Sequence, residues 1–191
     1  MTQTYLADHV SVAPRYQRSV RIDADFGQAD PLSGYVLQGS ARDALTTTLR
    51  LATNGQGAFT WTGPYGGGKS SLALALASYS LGRGPAFKEA KQLLCDVPEV
   101  TAVFGRAPKD WLCVSLSGRR GDPVADLREA LASAIAGDPG HARTKRSKME
   151  AADGRDIVER LQREVEARPK GGVLVIVDEL GKYLEGAADH A

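Results

Sequence analysis

The sequence predicts an α/β fold built on a mostly parallel sheet, and three observations carry that expectation. Short runs that suit strands alternate with segments whose apolar residues recur at helical spacing. The connections between the runs are long enough for right-handed crossovers. The most apolar run, Val173–Val177, shows no polar alternation, which is the pattern of a parallel strand covered on both faces.

Composition narrows the class further. A chain of 191 residues can bury one sizeable core. Its formal charge of +1, from 24 Lys and Arg against 23 Asp and Glu, excludes a histone-like, polyanion-coating protein, so any nucleic-acid contact is local. Cys95 and Cys113 are too few for a disulfide framework or a zinc site, which fits a reducing cytoplasm. Residues 1–20 hold Asp8, His9, Arg15 and Arg18 and lack the apolar centre of a secretory signal. Leu72–Ala77 and Gly172–Val177 are far shorter than the ~20 residues of a membrane span, so no membrane partner is expected.

Taken in order, residues 1–40 read as an irregular leader, with Pro14, Pro31, the turn pair Ser33-Gly34 and a short strand at Ser19–Ile22; residues 41–191 read as the domain. Ser40 is placed to cap a helix on which Ala41, Ala44, Leu45, Thr48, Leu49 and Ala52 share a face, and Asn54-Gly55-Gln56-Gly57 stops it. Ala58–Thr62 alternates Phe59 and Trp61 with threonines and predicts a strand. Ser70–Leu81 is apolar on nearly all sides, the mark of a helix buried against a sheet. Phe87, Ala90, Leu93 and Leu94 mark a second amphipathic helix. Thr101–Phe104 suits a short strand and Trp111–Leu116 a longer one. Asp122 or Pro123 opens a helix carrying Val124, Leu127, Leu131 and Ile135, and Ile157, Val158, Leu161 and Val165 mark another from Arg155.

Two motifs carry chemistry. Gly63-Pro64-Tyr65-Gly66-Gly67-Gly68-Lys69-Ser70 matches G-x-x-x-x-G-K-S/T without a substitution, after an expected strand and at the start of an expected helix. Glycines there let the backbone turn several N–H groups toward one centre, and a helix N-terminus adds roughly half a positive charge. That is a cradle for phosphates. Lys69 is expected to reach the β- and γ-phosphates, Ser70 to offer a hydroxyl to Mg²⁺, and Ser71 to meet the α-phosphate. The competing reading is a glycine-rich turn that merely joins strand to helix.

The second motif is the aliphatic run Val173–Val177 ending in Asp178-Glu179. Carboxylates at the C-terminal tip of an inner strand lie at the crevice where open α/β sheets bind ligands. Asp178 is the expected Mg²⁺ carboxylate, and Glu179 the base that orients the attacking water. Its plain alternative is that Asp178 caps a helix over Glu179–Leu184.

Together the motifs resemble Walker A and Walker B of the P-loop NTPases, and the Asp-Glu pair resembles the division with an additional catalytic glutamate, which includes AAA+, STAND, helicase and ABC-type enzymes. No N-K-x-D base-reading motif of GTPases and no L-S-G-G-Q signature of ABC ATPases is present. The wording of Gly57–Gly66 and Val177–Glu185 is similar to large bacterial ATPases of AAA/STAND type found near phage-defence and DNA-processing genes. The resemblance covers about a quarter of the chain. It implies a three-layer α/β/α sandwich, ATP and Mg²⁺ as cofactors, ATP hydrolysis, a DNA or nuclease partner, and assembly as a homo-oligomer. In the family's order a strand between the Walker B and P-loop strands, the sensor, any arginine finger and any lid follow Walker B, so the chain is expected to be an N-terminal portion with weak turnover of its own. A nucleotide sensor without turnover and a P-loop kinase are the alternative functions.

Lesser features carry weaker expectations. The run with His141, Arg143, Lys145, Arg146 and Lys148 reads as a solvated loop rather than a phosphate contact. Arg119 and Arg120 read as surface arginines. Tyr35 and Gln38 lie upstream of the cradle, in the region that often lines the adenine in AAA and STAND relatives. His9, His141 and His190 show no metal-ligand spacing.

Overall fold

A computed structural model describes residues 20–26, 28, 30–108, 110–137 and 155–188. The described residues form, in order, α1 (Ile22–Asp25), α2 (Gly39–Thr53), α3 (Lys69–Ser80), α4 (Gly84–Leu93), α5 (Pro98–Phe104), β1 (Trp111–Ser117), α6 (Pro123–Gly137), α7 (Arg155–Glu166), β2 (Gly172–Asp178) and α8 (Gly181–Ala188). The chain is mixed α/β, and β1 and β2 pair in parallel from Trp111 opposite Gly172 to Ser117 opposite Asp178.

Helices cover both faces of this short sheet because each strand is apolar on both sides. Leu112 and Val114 of β1 and Val173 of β2 pack with Leu127, Leu131 and Ile135 of α6 and Leu161 of α7. Trp111, Cys113, Leu174 and Ile176 point the other way, into a larger core with α1 to α5. At the centre of that core lies α3, where all nine residues from Leu72 to Ser80 are buried. It meets α1, α4 and both strands, which is why its sequence has no polar stripe. Asp122 caps α6, its Oδ1 accepting from Val124 N at 2.8 Å, and Pro123 fills the first helical position. No helix among the described residues is long and apolar enough to cross a membrane.

Several expectations are corrected. Ala58–Thr62 is irregular and not a strand: no described residue pairs with it, and β2 takes β1 as its neighbour. A strand is a property of two segments, so alternation alone does not make one. What holds Ala58–Thr62 is Trp61, whose indole N–H donates to Thr48 Oγ1 on α2 at 2.8 Å. Thr101–Phe104 is helical, since Pro98 pre-sets the first turn of α5 and Val97, Val100 and Phe104 recur at helical spacing into the core. Val20 and Arg21 are irregular and Ile22 opens α1, so no strand forms there; Ser19 lies outside the described residues. Gln38, not Ser40, is the N-cap of α2, and it makes no side-chain capping bond.

Burial also departs from expectation in places. Val175 and Val177 are each 38% exposed, so β2 is not covered on both faces along its length: α6 and α7 reach only its first half. On α7 the buried positions are Ile157 and Glu164, whereas Val158 and Val165 face outward.

Candidate functional site

The glycine-rich turn is shaped by φ angles that side chains resist. Gly66 and Gly68 both have φ of +77°, in the left-handed region. Gly67 N donates to Pro64 O at 3.2 Å, closing the turn, and a Cβ on Gly67 would come within 3.1 Å of that same carbonyl oxygen. Gly68 is the N-cap of α3, so the unpaired N–H groups of the first turn of α3 face the loop. Lys69 folds back over it, its Nζ donating to Gly63 O at 2.9 Å and Pro64 O at 2.8 Å. The ammonium thus sits at the mouth of the turn, held only by exposed carbonyls that an anion can replace.

Beside the loop lies a hollow of about 960 Å³ bordered by Gly66, Gly67, Gly68 and Ser71 on one wall and by Tyr35, Gln38 and Asp25 on the other. The Tyr35 ring comes within 3.4 Å of where a Gly68 Cβ would stand. Burial pushes the Tyr35 hydroxyl above its ordinary range, so it stays a neutral donor.

The acidic pair sits at the tips of the two strands. Gly118 N, one residue past β1, donates to Asp178 O at 2.7 Å. A Cβ on Gly118 would lie 2.2 Å from Glu179 O, so the two strand ends are in direct backbone contact. Asp178 Oδ1 accepts from Glu179 N at 3.0 Å, an amide that precedes α8, so Asp178 is not the cap of that helix. Glu179 has φ of +53°, an uncommon conformation for a non-glycine residue that throws its side chain out of the strand direction. Its carboxylate is paired with Lys182 one turn along, which pulls the Lys182 pKa upward.

Around these tips stands a polar network. Ser117 Oγ donates to Asp23 Oδ1 at 3.0 Å, and Arg21 Nε donates to the same carboxylate at 3.2 Å. Hydrogen bonding by Arg21 is the main cause that holds the Asp23 carboxyl below the usual range. Arg119 forks onto Asp126 of α6, and that contact likewise depresses the Asp126 carboxyl. Tyr183 of α8 donates to Asp126 Oδ2 at 2.8 Å; burial first, and this bond second, push its hydroxyl up to about 12.

Asp178, Glu179, Lys182 and Tyr183 border a cleft of about 1690 Å³ that also meets Ser117, Arg119 and Asp23. Of the expected phosphate-binding and metal-binding groups, some border one hollow and some another, while Lys69 and Ser70 border neither. Gly66, Gly67, Gly68 and Ser71 wall the first and Asp178 and Glu179 the second, with the side chains around α1 between them. Two elements join these regions: α3, which begins at Lys69 and packs on both strands, and α1. Among the described residues no group of three or more His, Cys, Asp or Glu gathers to hold a metal.

Asp23, Ser117, Asp126 and Tyr183 were not legible as site residues in the sequence. Ser117-Gly118 signalled only the end of a strand, and Arg119, read as a surface arginine, is tied to Asp126. The basic run at 141–148 and the three histidines lie outside the described residues. No protein-family model, curated protein or solved structure matches the chain.

Proposed function

We propose that the chain is a Mg²⁺-dependent ATP-binding and hydrolysing module of the P-loop type, with the three-layer sandwich of the AAA/STAND division. The observation that supports this most is the turn Gly63–Gly68: left-handed Gly66 and Gly68 lead directly into the start of α3, and the Lys69 ammonium folds back onto the turn. Such a set of N–H donors and one cation is suited to a polyphosphate. In this reading Gly63–Gly68, Lys69, Ser70 and Ser71 hold the phosphates, and Tyr35 and Gln38 lie where the base enters the neighbouring hollow. Ser70 and Asp178 hold the metal, which supplies charge neutralisation on the phosphate oxygens. Glu179 orients and deprotonates the water once its carboxylate leaves Lys182.

The ion pair between Lys182 and Glu179 favours a second reading, a nucleotide sensor in which the base stays occupied and ATP is held without turnover. Service to a DNA or nuclease partner, in a homo-oligomeric defence assembly, rests on the wording of the two motifs alone.

Calorimetric titration with Mg-ATP, together with phosphate release, tests both readings. Lys69→Ala is expected to weaken binding by at least about tenfold, or ~1.4 kcal/mol. Glu179→Gln is expected to bind as wild type does and to retain ATP. Equal affinity in wild type and Lys69→Ala overturns the nucleotide reading. Binding by wild type without phosphate release leaves the sensor.

A further inference from the structure

The segment Val20–Asp25 lines parts of both hollows. Asp25 borders the hollow of the glycine turn, Arg21 and Asp23 border the cleft of the acidic pair, and Val20 borders both. Ile22 between them is fully buried, and Asp25 accepts from Arg21 N at 2.9 Å, so the segment is anchored and closed on itself as one turn.

From Asp23 a continuous chain of contacts leads to the acidic pair. Asp23 accepts from the Ser117 hydroxyl at 3.0 Å; Ser117 stands opposite Asp178 in the ladder; Gly118 N donates to Asp178 O at 2.7 Å; and a Cβ on Gly118 would lie 2.2 Å from Glu179 O. We infer that Asp23 is a positioning residue: through Ser117 it couples occupancy of the hollow beside Gly66–Gly68 to the backbone setting of Asp178 and Glu179. The inference rests on the proposed nucleotide reading. A ligand seated against Asp25 and Tyr35 would press on α1, and Asp23 would carry that displacement to the strand tips without any metal bridging the two hollows.

Hydrogen exchange of the whole chain, with and without ATP in the presence of a chelator, tests the coupling, since the chelator removes any bridge through a metal at Asp178. In wild type, ATP is expected to slow exchange of the amides at 66–71 and, by about threefold or more, those at 118 and 179–180. In Asp23→Ala, which removes the acceptor, the first segment is still slowed and the second is not. Ser117→Ala behaves as Asp23→Ala does, and Ser117→Thr, which keeps the hydroxyl, restores the wild-type response. Slowing at 118 and 179–180 that persists in Asp23→Ala, or that never occurs in wild type although 66–71 respond, overturns the coupling and leaves the nucleotide reading standing. No response at 66–71 in wild type overturns the nucleotide reading and the coupling with it.

Discussion

The Tyr183 hydroxyl donates to Asp126 at 2.8 Å and so fastens α8, which follows the Asp178-Glu179 turn, to α6 on the flank of the sheet. The same carboxylate receives the Arg119 guanidinium from the loop after β1. One acid on α6 therefore holds both segments that emerge from the strand tips.

Removing that anchor is expected to loosen the tips before it unfolds the core. Tyr183→Phe should cost about 1–2 kcal/mol, the loss of one hydrogen bond to a charged group, measured by urea denaturation at pH 7. Asp126→Asn should cost more, because Arg119 loses its partner as well. The Asp126 carboxyl titrates below its ordinary value in the folded chain, so its stabilisation is complete above about pH 4 and is lost as pH falls through the depressed value. Wild type should thus lose more stability than Asp126→Asn between pH 5 and about pH 3. Parallel losses in the two proteins would contradict the assignment.

Gly118 has the least room of the glycines near the tips. Gly118→Ala places a methyl 2.2 Å from Glu179 O and should destabilise by about 2–3 kcal/mol, since backbone rather than a flexible side chain must give way. Gly57, with nothing within 4 Å and no positive φ, is the matched control: Gly57→Ala should leave the melting temperature within a degree or so of wild type.

Glu164 of α7 and Arg168, just past its end, are 3% and 5% exposed and bonded to each other at 2.7 Å, with Arg160 also donating to Glu164. Arg168→Met leaves the buried Glu164 carboxylate with Arg160 as its remaining partner and is expected to cost about 3 kcal/mol, the lower end for breaking a buried pair; Arg168→Met combined with Glu164→Leu is expected to recover most of it, both read from denaturant midpoints. An additive double variant would show that the two side chains do not act as a pair.

The cysteines should separate cleanly by reactivity. Cys95 is exposed, whereas burial raises the Cys113 thiol to about 12, where it carries almost no thiolate at neutral pH. A colorimetric thiol reagent at pH 8 is expected to titrate one thiol quickly in the native chain and the second only on unfolding. Cys95→Ser should abolish the fast phase, and a fast phase that survives would place Cys113 within reach of solvent.

Local chemistry explains why some elements were readable in advance. The Gly63–Ser70 letters imply left-handed backbone and a helix start whatever surrounds them, and Gly66, Gly68 and Lys69 adopt those states. The apolar sides of α3 foretold its burial because nine successive residues left no face for water. Ala58–Thr62 and Thr101–Phe104 misled because each is about one turn or one strand long, too short for periodicity to separate the two states. Val158 and Val165 misled because α7 buries Glu164, paired with Arg168 beyond the helix end, in their place.

The network at the strand tips lay beyond any such pattern. Asp23 and Ser117 are 94 positions apart, and Tyr183 and Asp126 are 57 apart. Nothing in their immediate neighbours distinguishes them from solvated polar residues.

By itself, then, the sequence determined the backbone states that depend on a residue and its nearest neighbours: the glycine turn, the buried helix after it, and the aliphatic strand with its terminal acids. Only the tertiary structure decided which strand pairs with which, which valines stay in water, and that the cradle and the acids open onto two hollows joined through α1. Those outcomes depend on contacts between segments far apart along the chain, whose free energies arise only when the layers close, and no local preference encodes them.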